Sequence, residues 1–94
     1  MSNHLDPSAA VAALAALAHD HRLAVFRLLV QAGPKGMAAG SIAEALDMPA
    51  SSLSFHLAHL HRAGLTDQRR EGRSLIYSAA YPAMNALVGF LTEN

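Results

Sequence analysis

Apolar positions along the chain recur first with a helical period and then, past residue 64, with a period of two. From Ser8 to Leu17, alanines separate Val11, Leu14 and Leu17, which at i, i+3 and i+6 line one face of a helix. Asp20 suits the N-cap of a second helix, His21 to Ala32, with Leu23, Phe26, Leu29 and Val30 as its apolar face. Gly33-Pro34 ends it, since glycine accepts a left-handed cap and proline cannot continue the helix. Met37-Ala38-Ala39 reads as an extended link. A third helix of about Gly40 to Leu46 turns Ile42, Ala43 and Leu46 inward. Asp47-Met48-Pro49 is a turn, with the proline at the first position of a fourth helix that runs to about Ala63 and stops at Gly64.

The fourth helix has a core stripe of Leu53, Leu57 and Leu60, spaced i, i+4 and i+7. At 100° per residue, Ser51, Ser52, Phe55, Ala58, His59 and Arg62 fall on the opposite face, with Ser54 also at its hydroxylated start. Leu65 to Arg70 and Arg73 to Ala79 then alternate as strands about a Glu71-Gly72 turn. Tyr81-Pro82 opens a last helix with Met84, Leu87, Val88 and Leu91 on one side. The order is α-α-α-α-β-β-α, mainly α with a small β-hairpin. Residues 1–94 form one domain without repeat, linker or low-complexity segment. A groove-sized helix followed at once by a basic ribbon is the layout of a winged helix-turn-helix.

Composition sharpens this picture. The chain is 52% hydrophobic and 15% charged, rich in apolar residues for 94 positions, and a chain this short needs surface buried against a partner. Val11, Leu14 and Leu17, with Met84, Leu87, Val88 and Leu91, are the expected dimer face, so dimerisation runs through the first and last helices. The Ala9–Ala18 run is too short to span a membrane, and Ser2-Asn3-His4-Leu5-Asp6 lacks the basic start of a secretory signal, so a cytoplasmic location is expected. No cysteine is present, which excludes disulfides, thiolate metal sites and cysteine nucleophiles in these residues. Net charge is zero, yet its distribution is uneven: −1 over residues 1–50, +2 over 51–75 and −1 over 76–94. Positive charge therefore collects where a phosphate-contacting element would lie.

Serine hydroxyls at a helix start suit phosphates or base edges, a phenyl ring suits a thymine methyl, and a guanidinium suits a phosphate. The expected DNA-binding set is Ser51, Ser52, Ser54, Phe55, His59, Arg62, Arg69, Arg70 and Arg73, and strand alternation favours Arg70 and Arg73 among the wing arginines. An outward phenylalanine flanked by hydroxyls calls for a partner surface, either double-stranded DNA or, alternatively, a protein in a winged-helix interaction module. His56 and His59 are three apart, with His61, His19 and His21 as further metal-ligand candidates. His56 falls beside the core stripe and His59 outward, so no metal site is expected: His56 reads as partly buried and hydrogen-bonded, His59 as phosphate-facing. No Gly-x-Ser-x-Gly turn, P-loop or dinucleotide glycine motif is present, and no enzymatic activity is expected.

At these residues the chain resembles the ArsR/SmtB family of bacterial winged-helix repressors over nearly its full length. Ala18-His19-Asp20-His21-Arg22-Leu23 is similar to the family's Leu-Ala-Asp-x-x-Arg-Leu helix start. Ser52-Leu53-Ser54-Phe55-His56-Leu57 with Ala63-Gly64-Leu65 resembles its reading helix, and Arg69-Arg70-Glu71-Gly72-Arg73 with Tyr77 its wing. The resemblance implies a homodimer that represses a palindromic operator until an inducer binds. Gly40-Ser41-Ile42-Ala43-Glu44 replaces the Cys-x-Cys pair of thiol-type members, and Tyr81 to Glu93 lacks the Asp/His set of members that sense zinc-like ions. The ending, Met84-Asn85-Ala86-Leu87 through Leu91-Thr92-Glu93-Asn94, most resembles an arsenite-responsive subset, in which a vicinal cysteine pair commonly follows the last helix. The sequence reaches Asn94 before any such pair, so arsenite is implied by kinship alone and no cofactor by the residues.

Overall fold

The computed structural model describes residues 5–93; Ser2, Asn3, His4 and Asn94, which entered the readings of the two ends, lie outside the described residues. Five helices and three short strands follow in the order α1 (Pro7–Leu17), α2 (Asp20–Ala32), β1 (Met37–Ala38), α3 (Ala39–Leu46), α4 (Ala50–Arg62), β2 (Thr66–Glu71), β3 (Ser74–Ala79) and α5 (Tyr81–Thr92). The expected element order holds, with one addition. The Met37-Ala38 link pairs antiparallel with β3, opposite Tyr77 and Ile76, so the hairpin becomes a three-stranded sheet in the order β1-β3-β2. Among the described residues no single helix is long and apolar enough to cross a membrane.

The first helix packs on its alanines and leaves the residues of the expected dimer face largely outside the core. Ala10, Ala13 and Ala16 are buried, whereas Val11 is 65% exposed and Leu14 is also exposed; Leu17 is half-buried. Small residues at a spacing of three let α1 approach its neighbours closely, and its larger side chains face outward. The second helix also starts one residue early. His19, not Asp20, is its N-cap, and the His19 Nδ1 accepts from the His21 N–H at 3.1 Å. Its inner face is Val25, Phe26 and Leu29, while Leu23 is exposed and Val30 half-buried. Between these helices, Arg22 donates from Nε to the Ala16 carbonyl at 2.6 Å and from Nη2 to that of Ala15 at 3.3 Å, satisfying carbonyls at the end of α1.

The turn between α3 and α4 rests on Asp47, whose φ of 50° and ψ of 52° place it in the left-handed region that caps α3. Pro49 is the N-cap of α4 rather than its first residue, and Gly64, at φ 79°, follows the helix end. The hairpin turn also sits one residue later than expected. Glu71 pairs with Ser74, leaving Gly72 and Arg73 as the loop, with Gly72 at φ 63° in the first central position.

Leu29, Ile42, Leu53, Leu57, Leu60, Leu65 and Leu87 meet in the core that these elements enclose. Each fully buried leucine or isoleucine contributes about 1.5–3 kcal/mol of apolar transfer free energy. The Tyr81 hydroxyl donates to the Val30 carbonyl at 2.9 Å, fixing the start of α5 against α2.

Candidate nucleic-acid interface

The core stripe Leu53, Leu57 and Leu60 is buried as its spacing predicts, and that orientation turns the opposite face of α4 to solvent. Ser51, Ser54, Phe55, Ala58 and Arg62 are exposed, and Ser52 and His59 are half-buried. Phe55 is 62% exposed, with its ring edge-on to His56 and His59 at centroid distances of 5.8 and 6.5 Å. No side chain caps the N-terminus of α4, so its first N–H groups remain available to an anion beside the serines. His59, His61 and Arg62 lie in the last turn, where cations complement the helix dipole.

The wing stands next to this helix, separated from it by a cleft of about 270 Å³ that includes Ser54, Ala58, Arg62, Gln68 and Tyr77. Its three arginines divide into two roles. Arg69 forms an ion pair with Glu71 at 2.7 Å and donates to the Lys35 carbonyl at 2.8 Å, so its guanidinium is engaged within the chain. Alternation along β2 puts Arg69 and Glu71 on one face and Arg70 on the other. Arg70 and Arg73, the latter in the turn, are exposed and have no ion pair among the described residues.

The histidines are arranged otherwise than expected. His61 is tied to the sheet through Nδ1, 3.0 Å from the Thr66 carbonyl and 3.4 Å from its hydroxyl. His56 is buried, but its Nδ1 has no hydrogen-bond partner among the described residues, contrary to the hydrogen-bonded histidine anticipated. Its ring lies 4.9 Å from that of His19 and 5.5 Å from that of His21, centroid to centroid. Burial, reinforced by His19, His21, Arg22 and His59, holds the His56 pKa below the ordinary imidazole value. That of His59 is also lowered, by desolvation first and then by Arg22, Arg62 and His19.

A helix-turn-helix domain model matches residues 17–69, from the end of α1 into β2. The transcriptional regulator YgaV of Escherichia coli is 34% identical over 82 residues, which is 87% of this chain and 81% of that protein. This chain belongs to the ArsR family of winged helix-turn-helix transcriptional regulators. Among solved structures, an ArsR-like transcriptional regulator from Rhodococcus superposes with a TM-score of 0.79 at 25% identity, over 89% of this chain and 76% of that one. A homodimeric winged helix-turn-helix DNA-binding domain from Mycobacterium bovis superposes with a TM-score of 0.70 at 30% identity, over 97% and 84% of the two chains. Members of the ArsR family are regulators and not enzymes, and this chain is a DNA-binding transcriptional regulator.

Two contacts were not derivable from the sequence pattern. The engagement of Arg69 depends on a carbonyl 34 residues away, for which no local pattern exists. The His19–His21–His56 group joins α2 to α4 across similar distance in the chain; all three were among the histidines weighed as metal ligands, but their meeting was not expected.

Proposed function

We propose that this ArsR-family chain is a cytoplasmic, single-domain homodimeric repressor that places α4 in the major groove of a palindromic operator and grips the flanking backbone with Arg70 and Arg73. One observation carries the reading: Phe55 projects from α4 on the same side as Ser51 and Arg62, a phenyl ring, a hydroxyl and a guanidinium aimed outward together. Ser52, Ser54 and His59 supplement that face, while Arg69 sets the wing rather than touching phosphate.

Support for the two-fold arrangement comes from α1 and α5. Val11, Val88 (54% exposed) and Leu91 (57% exposed) leave α1 and α5 with apolar faces to water, and an open apolar groove of about 410 Å³ includes Leu17, Leu23, Met84, Leu87 and Val88. A second copy that covers these faces sets two α4 helices about 34 Å apart, one turn of DNA. An inducer then releases the operator. The family resemblance offers arsenite or another inducer; these 94 residues contain no cysteine to hold arsenite.

Fluorescence anisotropy on the gene's own upstream duplex, against a random duplex at several salt concentrations, tests the proposal. Two chains per duplex and at least roughly 10³-fold preference for the upstream sequence are expected. Equal binding to both duplexes, or none, overturns it and favours a protein-interaction module. Transcription from the upstream promoter, measured with and without the regulator, reads the sign of control; higher output with the regulator overturns repression.

A further inference from the structure

We propose that His19, His21 and His56 form a binding site for one divalent transition-metal ion of the zinc class, with three imidazole ligands and one position open to water. The site would pin the start of α2 to α4. One ligand atom from each ring lies within 4.8 Å of the other two. A tetrahedral ion with Zn–N bonds of 2.0–2.1 Å needs its ligands about 3.3 Å apart. Modest rotation of the two exposed rings, His19 and His21, closes that gap, while buried His56 provides the fixed point.

An observation beyond the ring spacing favours a ligand over simple ring packing. The His56 Nδ1 is enclosed without a hydrogen-bond partner among the described residues, unusual for a polar atom so placed. The donor set selects the ion. Three nitrogens with no carboxylate or thiolate suit zinc, copper, nickel or cobalt and disfavour magnesium and calcium.

Binding exchanges one existing contact. His19 accepts the His21 N–H through Nδ1, so ligation by either ring nitrogen of His19 gives up that cap. Arg22 lies close enough to be felt at His56, but its guanidinium is held on the Ala15 and Ala16 carbonyls. His59 and His61 stand outside the group; His61 is committed to Thr66. The site stands whether or not α4 reads DNA. With the reading above, it places an ion directly behind Phe55, whose ring is 5.8 Å from that of His56.

Cobalt(II) titration of the chelator-treated full chain tests the proposal, with the d–d absorption of tetrahedral cobalt as readout and zinc as competitor. One ion per chain, tetrahedral bands and displacement by zinc are expected. His19→Ala, His21→Ala and His56→Gln each weaken binding by at least about tenfold, whereas His59→Ala and His61→Ala leave it unchanged. His19 and His21 are exposed, so their variants decide the matter even where His56→Gln does not fold, as circular dichroism shows. Absence of tetrahedral bands, or binding indifferent to His19→Ala and His21→Ala, overturns the site.

Discussion

Arg69 donates to the carbonyl of Lys35, 34 residues earlier, at 2.8 Å, while its Nε and Nη2 hold Glu71. This contact fastens the wing to the loop between α2 and β1, so the angle of the ribbon against α4 is set inside the chain before any DNA arrives. Arg70, its neighbour, is exposed and without an ion pair among the described residues, and is the proposed phosphate contact. Arg70→Ala is expected to lower the slope of log affinity against log salt by about 0.9, one phosphate contact, on every sequence. Arg69→Ala is expected to weaken binding with that slope retained and to cost about 1 kcal/mol of stability, given the exposure of the pair. Anisotropy over a salt series and urea unfolding separate the two; a shallower slope for Arg69→Ala makes it a phosphate ligand instead.

Phe55→Ala removes an exposed ring, so unfolding stability should move by no more than about 0.5 kcal/mol. Operator affinity should fall by about 1–3 kcal/mol and random-sequence affinity by much less. Equal losses on both duplexes would sink the base-contact role.

How much of this was legible in the sequence follows from side-chain size and distance in the chain. The stripe of α4 was readable because three of its four buried residues are leucines at helical spacing, and the outward face followed from it. In α1 the core-facing residues are alanines, too small to mark a core face in the sequence, while Val11 and Leu14 point away, as the expected dimer face requires. The second N-cap was misassigned because aspartate is the commoner cap, yet His19 supplies the acceptor. Two-residue β1 is a strand only by virtue of β3 beside it. The histidine group arises where α2 meets α4, which periodicity within either helix does not report.

Val88→Asp introduces a charge on the outward face of α5 without entering the core. Sedimentation should show the natural chain as the proposed dimer and the variant as monomer at the same concentration, with half-site contacts alone remaining on DNA. A variant that sediments like the natural chain would move the two-fold interface off α5.

Gly36 sits at φ 70° with the backbone carbonyl of Tyr77 and the Ile76 side chain where a Cβ would stand. Gly36→Ala should therefore destabilise the chain by more than about 1 kcal/mol and loosen the β1–β3 pairing. Urea unfolding together with amide exchange at Met37 and Ala38 checks this; an unchanged midpoint refutes the close approach.

In chelator-treated protein, His56 makes stability depend on pH. Its folded pKa lies below the unfolded value of about 6.5, so the unfolded chain binds more protons in the window between the two. Stability should be flat above about pH 6.5, fall on acidification through that window, and level off below the folded pKa. Urea midpoints from pH 7.5 to 5 are expected to show this fall for the natural chain and a smaller one for His56→Leu. Identical pH profiles would assign the effect to other groups.

The inward alanines of α1 mean that a solitary chain draws little free energy from its bulkier N-terminal side chains. In the homodimer proposed above, those groups would be buried only when a second copy arrives, which would couple stability to abundance. Operator occupancy at low copy number would then rise with the square of expression level, and the amount of regulator made would become a dial on promoter output in its own right.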